Sequence, residues 1–302
     1  MTIKSQVRKE ILNEYNIDIS EIIPKNDLDA WILFPKYNFI YNKLFLFQYQ
    51  KIDCDPMPIF PNEYPIVIKP IINLMGMGLN AIKINNDIEF KQHLTNNHFW
   101  CKYIDGEHLS WDIVVRNGII IYFCCFKGYK NKIFGAFNYW KLVNKKTLPK
   151  IIKKLIKDHL KGYTGCLNCE TINNKIIECH LRIGDADQLP KEYLKLFYLN
   201  YIDNKIDIKM EISKLNINHE IFLIPVWQNV DKIDKLDEIY QYLIDKWENK
   251  INDNEYIKFY YFDKPGHAYP SNLKRWFLFV VHEYKKGYQL KKLIEKDLVN
   301  NY

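Results

Sequence analysis

Residues 169–182 read CETINNKIIECHLR, two alternating runs joined by Asn-Asn-Lys with one glutamate in each. Alternation at period two marks a strand with one buried face, so the segment predicts a hairpin. With Asn173, Asn174 and Lys175 as a three-residue loop, Ile172 pairs with Ile176, Glu170 falls opposite Glu178, and Asn168 falls opposite His180, with Arg182 further along that face. The other face carries Leu167, Cys169, Ile177, Cys179 and Leu181, a coherent buried side. A two-residue loop would break this sorting, because a slip of one residue turns every partner side chain over. Facing carboxylates repel. Two expectations stand side by side: acids splayed apart in water, or a positive charge between them, for which a hard divalent cation is a natural occupant.

The 302-residue chain is 48% hydrophobic and 15% aromatic, without a long proline, glycine or serine tract, as expected of a globular protein with ample core. No run approaches about 18 uncharged apolar residues. The N-terminal MTIKSQVRKEILNEY is too charged for a secretory leader, so a cytoplasmic location without a membrane partner is expected. Seven cysteines, an odd number without the spacing of a disulfide-rich domain, agree. Cys166 and Cys169 form a C-x-x-C, but an offset of three on a strand sends them to opposite faces, which argues against a zinc or redox pair. The net charge is +7, and only four of the 43 basic residues are arginine. Scattered lysines suit small anionic substrates better than a nucleic acid. The abundance of Lys, Asn and Ile points to an AT-rich source genome.

Along the chain the pattern predicts a helix over 3–16, a strand and loop over 29–41, a helix over 41–51, a Pro-punctuated linker over 54–65 and a strand over 66–69. The loop NLMGMGLN leads to a second strand, AIKI, and to a helix capped by Asn86 or Asp87. Strands follow in HFWCKYI, LSWDIVVRNG and IIIYFCCFKG, the last two joined by an Asn-Gly turn. A helix over 148–161 precedes the opening hairpin. Past Pro190 come strand (EIFLIPVW), helix (DKLDEIYQYLIDKW), strand (YIKFYYF), the turn-rich DKPGHAYPSN and strand (WFLFVVHEY).

Lys69 ends a strand, and Gly76 and Gly78 follow seven and nine residues later. A strand-borne ammonium roofed by a glycine turn suits phosphate, although the spacing is neither a Walker A loop nor a kinase glycine loop. The order is more informative than any piece: lysine and glycine loop, then CKYIDGEHLSWDIVV (101–115), then two acids on a hairpin ending in E-x-H-x-R. In that order the chain resembles the ATP-grasp superfamily over roughly residues 43–182. The resemblance implies an α+β ATP-grasp fold, two α+β lobes clamping ATP. Residues 1–55 would be a short N-terminal region and 56–190 the lobes, the small one about 60–105 and the larger from about 106. Residues 191–302 would be an extra C-terminal α/β segment, completing the larger lobe or building the substrate site.

The same resemblance implies ATP with Mg²⁺ (or Mn²⁺), and small-molecule carboxylate and nucleophile substrates joined through an acyl phosphate with release of ADP. Position by position, Lys69 would contact the α- and β-phosphates, and the loop of Gly76 and Gly78 would close over them. Lys43 would be the lysine at the lobe boundary. Cys101, Lys102, Tyr103 and Ile104 would form the hinge that reads adenine, and Glu107 or His108 would hold the ribose. Glu170 and Glu178 would hold the metal, with Arg182 beside the transferred phosphoryl and Lys69 sharing its catalytic role. These are the residue types phosphoryl transfer requires, since it depends on positioning and charge neutralisation.

Two features depart from that pattern. The family's third metal ligand, an asparagine two residues after the last glutamate, is here His180, which suits Mn²⁺ or softer ions better than Mg²⁺. The roughly 40 residues before Lys43 are too few for the substrate domain that commonly precedes the lobes, which shifts substrate recognition toward DKPGHAYPSN and Arg275. Three alternatives follow: an ATP-grasp kinase of a phosphorylated polyol, a non-catalytic nucleotide-binding or structural protein, and, from KYIDGE, a covalent nucleotidyltransferase. The last is disfavoured because Lys102 and Asp105, three apart on a strand, point to opposite faces.

Overall fold

The computed structural model describes residues 26–74, 80–131, 136–184, 220–229, 236–252, 257–262 and 273–301, with isolated positions between them. Most of the helix expected over 3–16, together with Gly76 and the DKPGHAYPSN loop, lies outside the described residues.

Among the described residues the strands form two antiparallel sheets. The smaller contains β1 (Cys54–Pro56), β2 (Ile66–Pro70), β3 (Ile82–Ile84) and β4 (His98–Lys102), in the order β1-β4-β2-β3. The larger contains β5 (His108–Arg116), β6 (Ile119–Lys130), β7 (Phe137–Leu142), β8 (Gly165–Ile172), β9 (Lys175–His180), β10 (Phe222–Asn229), β11 (Ile257–Phe262) and β12 (Leu273–Val281). Its order is β11-β12-β10-β7-β6-β5-β8-β9, so the strands past residue 190 extend the same sheet rather than forming another. β5 is buried at every position but its last, because both faces are covered. Leu109, Trp111, Ile113 and Val115 pack into one core with Ile152 and Leu155, and Val114 packs into another with Phe126, Leu223 and Val280. Cys166 and Cys169 divide between the same two cores, as an offset of three on a strand requires.

Helices cover the sheets: α1 (Asp27–Leu33), α2 (Lys43–Tyr49), α3 (Asp87–Gln92), α4 (Lys150–His159), α5 (Leu236–Asn252) and α6 (Tyr284–Asn301). Where a strand and loop are expected over 29–41, the chain forms α1 followed by a 3-10 helix, Pro35–Tyr41. The cap decides it: the Asn26 side chain accepts from the Asp29 N–H at 2.9 Å, with Asp27 and Asp29 in the first turn. The linker expected over 54–65 begins with β1, and two elements lie where none was read, β7 and α6. Ile224, Val226, Phe277 and Phe279 are buried together with Trp247 of α5 and Ile294 of α6.

The hairpin of β8 and β9 corrects the expected loop. Asn173 and Asn174 both adopt positive φ, 48° and 59°, and form a two-residue turn. Lys175 therefore pairs with Ile172, and Ile176 with Thr171 rather than with Ile172. A β-bulge adds Ile177 to β9, after which Glu170 faces Glu178, Cys169 faces Cys179 and Asn168 faces His180 as expected, but Ile176 takes the buried place expected of Ile177. Ile176 joins the core beside Cys169 and Cys179, while Ile177 packs toward Phe47 and Phe99.

β9 is the edge of the larger sheet, where unpaired backbone groups need partners. Gln50 supplies them to Ile176: its amide oxygen accepts from Ile176 N and its amide nitrogen donates to Ile176 O, each at 2.8 Å. Lys69 Nζ of β2 donates to Ile177 O at 3.2 Å. The bulged edge is thus the seam on which α2 and the smaller sheet dock.

Candidate active site

The seam brings lysines to the acids. Lys43, the first residue of α2, forms an ion pair through Nζ with Glu178 Oε2, and its backbone N–H donates to Ile71 O at 2.8 Å. An ammonium buried at a helix start is disfavoured both by desolvation and by the helix's positive end, and Glu178 compensates it. Burial alone would raise the Glu178 carboxyl; Lys43, joined by His180, instead holds it well below the usual carboxylate range. Lys69 is also buried, lying 4.3 Å from the centre of the Phe47 ring, and burial pulls its pKa down.

His180 and Arg182 converge on an acid that the sequence pattern did not single out, Asp27 at the start of α1. His180 Nδ1 lies 3.0 Å from Asp27 Oδ1, and its Nε2 lies 3.6 Å from Glu178 Oε1. Arg182 grips the same carboxylate with two nitrogens, Nε to Oδ1 and Nη2 to Oδ2, each at 3.0 Å. The Tyr41 hydroxyl donates to Asp27 Oδ1 at 3.3 Å and accepts from the Leu181 N–H at 3.1 Å. Burial opposes ionisation of Asp27, but His180 and Arg182 outweigh it and hold the carboxyl far below its ordinary value. Burial likewise pushes the His180 imidazole down, while Asp27 lifts it to about 9, so His180 is a cation at neutral pH. No local pattern could have found Asp27, which stands 153 residues from His180; only the cap at Asn26 marks its neighbourhood.

On the other strand, Glu170 Oε2 lies 2.8 Å from His108 Nε2, and the His108 ring sits edge-on to Phe137 and Trp140. Glu107 is held between Lys127 and Lys145, each at 3.0 Å. Cys101 to Ile104 carry the chain from β4 of the smaller sheet toward β5 of the larger, with Lys102 N–H donating to Asp53 O and Tyr103 N–H to Pro65 O. The Lys102 side chain is exposed and paired with Glu63. Gly78 has φ 62°, a left-handed conformation that glycine adopts without strain.

The residues expected to hold a divalent cation are thus unequally suited to one. Glu170 is half-buried and keeps its second oxygen clear of hydrogen bonds among the described residues. Glu178 has a cationic nitrogen facing each oxygen, and His180 has a carboxylate oxygen facing each ring nitrogen. Among the described residues no group of three or more His, Cys, Asp or Glu is arranged to hold a metal ion.

A smaller sheet and α2 docked on the edge of a larger sheet, with Lys43 of α2 paired to Glu178 and Lys69 of β2 donating to Ile177 O, make a two-lobed α+β arrangement. The fold is the ATP-grasp fold. Similar solved structures include an L-amino acid ligase from Bacillus licheniformis, at 13% identity and TM-score 0.58, covering 98% of this chain and 82% of that one. Another is N5-carboxyaminoimidazole synthase from Aspergillus clavatus in complex with ADP and 5-aminoimidazole ribonucleotide, at 10% identity and TM-score 0.58, covering 88% and 75%. A third is N5-carboxyaminoimidazole synthetase from Staphylococcus aureus complexed with ADP, at 12% identity and TM-score 0.54, covering 88% and 77%. No family model and no curated protein matches the sequence. Among the described residues no helix is long and apolar enough to cross a membrane.

Proposed function

We propose that this chain is an ATP-dependent, ADP-forming ligase that activates a small carboxylate as an acyl phosphate and passes the acyl group to an amine or other nucleophile. The observation that carries the proposal is the seam itself, where Lys43 pairs with Glu178 and Lys69 donates to the neighbouring Ile177 O at the junction of two sheets. The fold supports it, since structural neighbours include a ligase and ADP-bound synthetases. Nucleotide phosphates would recruit the two ammonium groups, with the loop of Gly78 above them and Cys101 to Ile104 beside the base. The divalent cation, Mg²⁺ or Mn²⁺, would arrive on the nucleotide and offset phosphate charge. In the first half-reaction a substrate carboxylate oxygen attacks the γ-phosphorus and the bond to the β–γ bridging oxygen breaks, releasing ADP. In the second, the nucleophile attacks the acyl carbon and phosphate leaves. The lysines lower the barrier by holding and neutralising the phosphates.

A second proposal, a nucleotide-binding protein without turnover, draws on Arg182, whose guanidinium is occupied by Asp27. One experiment separates the two. Millimolar ATP should raise the melting temperature under both, whereas phosphate release on screening carboxylates with amines is expected only of the ligase. Absence of both effects would overturn both proposals.

A further inference from the structure

The far face of the hairpin carries two thiols that the proposed reaction does not use. Cys169 of β8 and Cys179 of β9 are free, buried and directly opposed in the register, and their sulfurs lie 3.0 Å apart in the core that also holds Ile152 and Leu155. Opposed residues of an antiparallel pair have Cα atoms about 4.5–5.5 Å apart, inside the window of about 4.4–6.8 Å that a disulfide spans. An S–S bond of about 2.05 Å therefore asks these sulfurs to close by only about 1 Å. β9 can supply that movement, because it is an edge strand, paired on one side only within its sheet, and carries the bulge at Ile177. Other thiols are directed elsewhere. Cys54 and Cys101 are also opposed, on β1 and β4, but Cys101 Sγ donates to Val67 O at 3.6 Å. Cys166 Sγ donates to Phe197 O at 3.7 Å, and Cys125 Sγ to Phe126 O at 4.0 Å.

We infer that Cys169 and Cys179 form an oxidative modification site, at which a hydroperoxide converts the pair to a cross-strand disulfide that ties the edge strand to its neighbour. One sulfur attacks the peroxide, forming an S–O bond as the O–O bond breaks and water leaves; the second sulfur attacks the sulfenic acid, forming the S–S bond as the S–O bond breaks and a second water leaves. The two thiols together give up two electrons and two protons, and the peroxide takes up both. Hydrogen peroxide is little larger than water and reaches the buried pair through local opening of the β9 edge, where Gln50 and Lys69 hold the strand. Exchange with a dithiol reductant reverses the bond. Side chains alternate along each strand, so the disulfide lies on the face opposite Glu170 and Glu178, and the inference does not rest on nucleotide binding.

The test treats the full folded chain with millimolar hydrogen peroxide, then unfolds it in N-ethylmaleimide, which labels every remaining thiol. Five of the seven cysteines should take the label after treatment, and all seven before it. Tryptic digestion should join the peptide Gly162–Lys175 to Ile176–Arg182 until dithiothreitol is added. The first peptide also holds Cys166, and fragmentation of the linked pair should place the bond on Cys169. The linked chain should melt a few degrees higher, since a cross-link restricts the unfolded chain, and dithiothreitol should restore the starting value. These readouts need no variant; in addition, Cys179→Ser should abolish the linked peptide and leave its six remaining thiols open to the label. Seven labels after peroxide, thiols lost to sulfinic acid without a linked peptide, a bond to another cysteine, or a linked chain that melts no higher would each overturn the inference.

Discussion

The two strands of the β8–β9 hairpin place the same residue, glutamate, at opposing positions, and the fold treats them in opposite ways. Glu170 is answered from within its own sheet, by His108 of β5, and stays half-buried. Glu178 is answered from outside the sheet, by Lys43 of α2 and by His180, which Asp27 of α1 pins in turn. The difference follows from position. β8 lies between β5 and β9, so its neighbours are set by register, whereas β9 is an edge, and whatever docks there supplies its partners. The electrostatics of the site are therefore asymmetric although the strand pattern is symmetric.

The sharpest way to break that contrast is Asp27→Asn, which removes the carboxylate holding His180 and Arg182. Leaving buried charges unpaired should cost about 3–5 kcal/mol in urea denaturation; a loss below about 1 kcal/mol would mean the clamp is a surface ion pair in effect. Next, Glu178→Gln should cost about 2–3 kcal/mol because Lys43 stays buried, while Glu170→Gln should stay within about 1 kcal/mol, as for a half-exposed pair. Equal costs for the two would erase the asymmetry. The pH profile sharpens it further. His180 has its folded pKa raised from 6.5 to about 9, so its contribution is complete below pH 6.5 and disappears as pH rises through about 9. Asp27 and Glu178 are shifted down, so theirs is present above the ordinary carboxylate range and lost in acid. The melting temperature should thus decline between pH 6.5 and 9, and His180→Asn should flatten that decline. The smallest effect expected is that of Asn174→Ala at the turn, where positive φ costs about 1 kcal/mol for a residue without a local hydrogen-bonding side chain.

Much of the frame was legible in local pattern. Alternation identified β8 and β9 as a hairpin, Asn-Gly at 117–118 marked the β5–β6 turn, and Lys69 was placed on a strand. The pairing of Glu170 with Glu178 came out as expected, although by a different route, a two-residue turn and a bulge at Ile177 instead of a three-residue loop. Both solutions bring Glu178, Cys179 and His180 to the same faces, and they differ only in which of Ile176 and Ile177 joins Cys169 and Cys179, a choice that two adjacent isoleucines cannot reveal. The run over 29–41 misled for a related reason: WILF is too short to show a helical period, and the capping side chain of Asn26 decided it.

What local chemistry dictates in this chain is which residues share a strand face, since side-chain direction alternates along any strand regardless of its surroundings. The charge state and availability of those residues are another matter. Whether Glu178 meets a metal or an ammonium, and whether His180 is a ligand or a cation, depends on α1 and α2 closing over the edge of the larger sheet. Their side chains arrive from 153 residues away in the case of Asp27 and His180, and electrostatic energy at such a seam is set by distance and burial, neither of which any stretch of sequence records.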